Sequence, residues 1–124
     1  MSAAEIQVER VSLATLDGDV QGHFKVSDAE DGTLQIVGWA FSRYGYVSSI
    51  EIRAGESMVA STVPRIQRPD VQERFPAVDA AATSGFALAI EAQGAGRSNL
   101  EVIAVLTEGA RHSLGQVDVL VDDR

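Results

Sequence analysis

Apolar residues recur at every second position through run after run of this chain, and glycine-bearing turns separate the runs. In "GFALAIE", Phe86, Leu88 and Ile90 share one face while Ala87, Ala89 and Glu91 take the other. "SNLEVIAVL" aligns Leu100, Val102, Ala104 and Leu106, and "GQVDVLV" aligns Val117, Val119 and Val121. "SIEIR" turns Ile50 and Ile52 inward and Glu51 and Arg53 outward. Two is the side-chain period of a β-strand; a helix would scatter the same residues around its circumference. The intervening "LDGD", "AEDG", "RYG", "AGE", "QGAG" and "EGA" each carry a glycine for a tight reversal or a positive φ. Eight strands are predicted, at about 4–11, 19–26, 33–41, 46–53, 57–63, 85–91, 98–107 and 111–121. Such spacing points to an all-β antiparallel sandwich, with a barrel as the other closure. A doubly wound fold is not expected, because no amphipathic helices of ten or more residues separate the strands.

At 124 residues the chain fits one domain and can bury a core without staples. Eighteen acids against ten bases give a net charge of −8, the wrong sign for a phosphodiester groove or an anionic membrane surface. Nucleic acid and membrane are therefore not expected partners. Cysteine is absent, which removes disulfides and thiolate–zinc from the argument. Nothing at the start reads as a basic region followed by an apolar one, and no apolar run is long enough to span a bilayer, so a cytoplasmic setting is the default. The chain can equally be a segment of a longer protein. Nine of the ten cations are arginine, which with abundant Ala, Val and Gly has the look of a GC-rich bacterial coding sequence.

One long segment, 64–84, does not read as strand. Within it Asp70 and Glu73 stand three apart, the spacing of an N-terminal capping box, and Pro76 stops the short helix that would follow. A connection of this length is expected to pack as a cover or to carry function.

The order of "GTLQIVGWAFSRYGYVSSIEIRAGE", "RPDV", "FP" and "SGFAL" resembles an Ig-like β-sandwich module that recurs in bacterial proteins, often beside glycosyltransferases and other enzymes of cell-surface glycan metabolism. Gly38, Trp39 and Ala40, then Arg68, Pro69, Asp70 and Val71, then Gly85 and Phe86 occupy the positions of its pattern, and the likeness spans roughly residues 32–121. Residues 1–31 lie outside it, as extra N-terminal strands or a junction, and "AGES" departs from the usual Asp-Gly hairpin. The resemblance implies a non-catalytic accessory domain of a kind sometimes presumed to bind carbohydrate, with no catalytic residues to carry over and no cofactor.

Catalytic chemistry finds little footing. His23 and His112 sit in alternating strands, away from any nucleophile elbow, and two histidines without cysteine make a poor zinc site. The acids of the turns, Asp17, Asp19, Asp28, Glu30 and Asp31, lack the spacing of a calcium loop, so no metal is expected. "QGAGRSN" lies between strands and reads as a hairpin turn, not a phosphate loop. In "RPDV" each residue has a local structural role. Pro69 fixes φ, Asp70 caps the helix, and Arg68 ties the long loop down by a charge-assisted bond.

Four of the seven aromatic residues fall within "WAFSRYGY". On a strand, Trp39 shares a face with Val37 and Phe41, while Leu34, Ile36, Gly38 and Ala40 share the other. Both faces are apolar, as for a central strand between an opposing sheet and the 64–84 cover, so Trp39 and Phe41 are assigned to the core. Tyr44 and Tyr46 straddle Gly45 next to Arg43, and a turn seldom buries both rings. Arg43, Tyr44 and Tyr46 are therefore the candidate ligand contacts, offering ring faces, hydroxyls and a cation for weak carbohydrate binding. Trp39, Arg68, Asp70 and Phe86 are the structural motif residues. The rival reading is a structural or interaction domain that self-associates or docks on a partner protein through an exposed strand edge. A small hydrolase using carboxylates that the spacing does not pair is the third reading.

Overall fold

The computed structural model describes residues 5–14, 20–28, 33–43, 46–91 and 96–122, with the backbone alone at 5, 28 and 122. The described residues contain eight strands: β1 (Glu5–Leu13), β2 (Val20–Asp28), β3 (Thr33–Ser42), β4 (Val47–Ala54), β5 (Ser57–Thr62), β6 (Gly85–Glu91), β7 (Gly96–Leu106) and β8 (Arg111–Asp122). Between β5 and β6 lie a short helix, α1 (Pro69–Arg74), and a 3₁₀ turn at Asp79–Thr83. The strands form two separate sheets, β1-β8-β7-β4-β5 and β2-β3-β6, with every neighbouring pair antiparallel. The chain is thus a sandwich and not a barrel.

Alternation decides which side chains meet between the sheets. The five-stranded sheet contributes Ile50, Ile52, Leu100, Val102, Ala104, Leu106, Val117, Val119 and Val121, and the three-stranded sheet contributes Phe24, Leu34, Ile36, Ala40, Phe86 and Ile90, all buried in one cluster. Burying such side chains stabilises the fold by about 1.5–3 kcal/mol for each large residue, relative to leaving it in water. Glu51 and Arg53 point to the opposite face of β4, where Glu51 accepts hydrogen bonds from both Arg53 and Arg111.

β3 is the exception to one-sided burial. Its second apolar face, Trp39 and Phe41, turns away from the opposing sheet and packs under the 64–84 segment with Val71, Ala80 and Ala81, while Phe75 and Val78 lie against this second cluster. The Trp39 and Phe41 rings stack with centroids 5.7 Å apart, and the Phe75 ring meets Phe41 edge-on at 4.9 Å. Geometries of this kind add roughly 0.5–1.5 kcal/mol to the burial itself. The long segment is therefore a packed cover over one end of the small sheet.

The start of α1 departs from the capping-box expectation. The N-cap is Arg68, whose side chain makes no capping bond, and Pro69 opens the helix. Asp70 sits one residue inside the helix, where it cannot serve as N-cap, so the box with Glu73 is not formed. Proline's preset φ replaces a side-chain cap as the start signal. The helix ends at Arg74, before Pro76, as the proline demands.

Candidate functional site

The outer face of the small sheet is where the unusual side chains collect. Antiparallel pairing sets His23 opposite Trp39 and Lys25 opposite Val37. The inward positions of β2, Val20 and Phe24, are buried. Gln21, His23 and Lys25 consequently line up on the outer face, beside Val37, Trp39 and Phe41 of β3. α1 lies against this face and divides it into two hollows.

The first hollow, of about 420 Å³, is lined by Gln21, Phe41, Arg43, Phe75, Pro76, Ala77 and Val78. Its wall is apolar, and its polar groups are one amide and one guanidinium. Arg43 is exposed and has no ion pair among the described residues. The second hollow, of about 580 Å³, is lined by His23, Lys25, Val37, Gly38, Trp39, Arg68, Asp70 and Arg74, together with Gln21 and Gly22. Arg74 holds its guanidinium carbon 5.9 Å from the Trp39 ring centre and 5.5 Å from that of Phe75.

Arg68 locks the cover in place. Its Nε and Nη2 donate to the two carboxylate oxygens of Asp70 at 3.0 and 2.8 Å, the two-pronged geometry of a guanidinium fork. Its backbone N–H donates to the Ala82 carbonyl at 2.8 Å, and Nη1 points at the Gly38 carbonyl of β3 at 3.5 Å. Gly85 lets the loop come this close: a Cβ there would fall 2.8 Å from the Ile66 carbonyl oxygen and 2.9 Å from Arg68 Cγ. The loop strand thus bonds in both directions with Gly85 through Ile66.

The Arg68 hydrogen bonds, with the guanidinium charge, hold the Asp70 carboxyl down from 3.8 to about 2. Since the folded-state value lies below the unfolded one, the pair stabilises the fold above about pH 4, and that contribution is lost as pH falls toward 2. The carboxylate is exposed, so solvent keeps the contribution small. Side-chain carboxyl NMR is expected to show Asp70 titrating near 2 in the wild type and in the ordinary carboxylate range in Arg68→Gln. An ordinary midpoint in the wild type would mean that the pair is not formed in solution.

Of the residues singled out in the sequence, Arg43 lines the first hollow. Tyr46 is 56% exposed but is not among the residues of that hollow. Tyr44 lies outside the described residues, as do the acids of the turns, Asp17, Asp19, Glu30 and Asp31. Trp39 is buried under the cover, and Phe86 lies in the main core. Gln21, Lys25, Arg74 and Phe75 carry no mark in the sequence as site residues. Alternation along β2 is enough to align Gln21, His23 and Lys25, but nothing local tells where α1 will land. Among the described residues no group of three or more potential metal ligands occurs, and no helix is long and apolar enough to cross a membrane. Comparison with protein-family models, curated proteins and solved structures returns no match.

Proposed function

We propose that this chain is a non-catalytic accessory module that binds carbohydrate weakly on the outer face of its three-stranded sheet, in the setting of bacterial cell-surface glycan metabolism. One observation carries the reading: the Arg43 hollow joins an apolar wall of Phe75, Pro76, Ala77 and Val78 to an exposed guanidinium and the Gln21 amide. A pyranose ring needs that pairing, with its C–H face on apolar surface and its hydroxyls on planar polar groups. The resemblance through Gly38-Trp39-Ala40, Arg68-Pro69-Asp70-Val71 and Gly85-Phe86 to Ig-like accessory modules supports the same reading. So does the lining of the hollows, in which the one carboxylate, Asp70, is already held by Arg68.

A glycan-array screen followed by titration tests the proposal. Wild type is expected to bind a subset of glycans, and Arg43→Ala, at unchanged melting temperature, to bind them about tenfold more weakly, the loss of one charge-assisted hydrogen bond. Tyr46→Ala tells whether the contact extends beyond the hollow along the 43–46 turn. A well-folded wild type that binds no glycan would overturn the proposal and favour docking of a protein partner on an exposed edge such as β5.

A further inference from the structure

The second hollow differs from the first in charge. Lys25, Arg68 and Arg74 line it against a single acid, Asp70, in a chain whose net charge is −8. A concave site of one sign, walled by protein, focuses its field and concentrates ligands of the opposite sign, even when the molecule as a whole repels them. The three cations are not equivalent. Arg68 is committed to Asp70 through two of its nitrogens. Arg74 lies against the Trp39 and Phe75 rings and has no ion pair or hydrogen bond among the described residues. A guanidinium supported by aromatic rings keeps the edge of its fork available to solvent and ligand. Lys25 supplies a second, flexible cation from β2. Val37, 44% exposed and paired with Lys25 across the strands, adds an apolar surface to the same hollow.

We infer that this hollow receives the carboxylate of an acidic sugar, with Arg74 as its two-pronged partner, Lys25 as the second cation and Val37 beneath the ring. The ligand class is a uronate-bearing glycan. A neutral sugar would leave the Arg74 fork and Lys25 without a counter-charge. The inference rests on reading the small-sheet face as a glycan surface. It adds that the two hollows, which share Gln21, hold neighbouring units of one chain: a neutral unit at Arg43 and an acidic one at Arg74.

Titration calorimetry with a short oligosaccharide that alternates neutral and uronate units, and with its carboxyl-reduced counterpart, tests this. Wild type is expected to prefer the acidic oligomer about tenfold or more, with the preference shrinking as salt is raised. Arg74→Gln is expected to abolish most of that preference, and Arg74→Lys to keep part of it, since charge survives and the planar fork does not. Arg97→Gln makes the same charge change far away, at the Arg97–Glu9 pair on the large sheet, and is expected to leave the preference intact. Equal binding of both oligomers, or a preference that survives Arg74→Gln, overturns the inference while leaving the glycan reading standing. Stronger binding of a sugar phosphate than of the uronate overturns the carboxylate assignment. Failure of a folded wild type to bind either oligomer, alongside a blank glycan array, overturns both readings.

Discussion

Gly38→Ala is expected to cost about 3 kcal/mol or more, the upper end of what overpacking does to a well-packed interior. Gly38 is on the inner side of β3, directly opposite Phe24 of β2, and β2 runs so close that an added methyl collides with the His23 carbonyl oxygen. The next nearest atoms are the Phe24 Cα at 2.9 Å and Cβ at 3.0 Å. These are backbone and near-backbone atoms of a paired strand, not the end of a side chain that can rotate away. The Phe24 side chain, 2% exposed, packs on the same inner side of the sheet beside the bare glycine, an arrangement in which an aromatic shields a neighbouring strand's glycine. To admit alanine, β2 must lift away and take His23 and Lys25 with it, so the groove distorts as the fold weakens. Urea melts read the loss directly, and at roughly 4 °C per kcal/mol for a domain of this size the melting temperature should fall by about 10 °C or more. A loss below about 1 kcal/mol would show that β2 can slide outward without breaking its ladder.

The same glycine marks the limit of what the sequence makes legible. Strand identity is local information: Ile50 and Ile52, or Val117, Val119 and Val121, announce a period of two whatever they pack against, and the predicted strands fall within about two residues of those observed. β3 announces more, because "TLQIVGWAF" is apolar on both faces, and a strand apolar on both faces needs two partners. Those partners are the opposing sheet and the cover, as the burial of Leu34 and Ile36 on one side and of Trp39 and Phe41 on the other requires. The approach of one backbone to another is not local. Nothing in "VGW" says that β2 will press on Gly38, and nothing in "RPDV" says that the helix will start at Pro69, leaving Asp70 inside it to take the Arg68 fork. The candidate site suffers most from this. Its parts come from β2, β3, the turn after β3 and α1, and only the docking of α1 brings Arg74 over Trp39. The aromatic cluster draws attention to Arg43 and the tyrosines; Arg43 does line a hollow, but the rings there are Trp39 and Phe41 of the same stretch and Phe75 of the cover.

Trp39→Ala is expected to be the more informative change, because it separates the cover from the sandwich. Removing a buried tryptophan costs about 3–5 kcal/mol through lost transfer energy and the cavity left behind. Here the ring belongs to the second cluster, with Phe41, Val71, Ala80 and Ala81, and the main core between the sheets contains none of its atoms. A loss of that size has two routes. If the cover and the sandwich unfold as one unit, global stability drops by the full amount, a large part of the roughly 5–15 kcal/mol a domain usually has. If the cover opens by itself, the cost is felt as local release, and the sheets keep their protection. The bonding favours the second outcome. The cover is tied to the sheet by the Arg65 and Ile66 bonds to Gly85, the Ala40 bond to the Ser84 carbonyl, the Arg68 bond toward Gly38 and the aromatic stack, whereas β7 and β8 share a long ladder that does not involve it. Amide exchange is therefore expected to accelerate strongly at Val71, Gln72, Phe75 and Ala81, whose N–H groups bond within the cover, and to change little at Val102 and Val119. Both hollows lose a wall when α1 lifts, so glycan binding should vanish in Trp39→Ala while circular dichroism stays that of a β-protein. Phe41→Leu, which shortens the stack without emptying the site, should give the same pattern at a smaller scale. Uniform acceleration across β7 and β8 would instead make the cover a full member of the folding unit, and loss of binding in Trp39→Ala would then report unfolding and carry no evidence for the site.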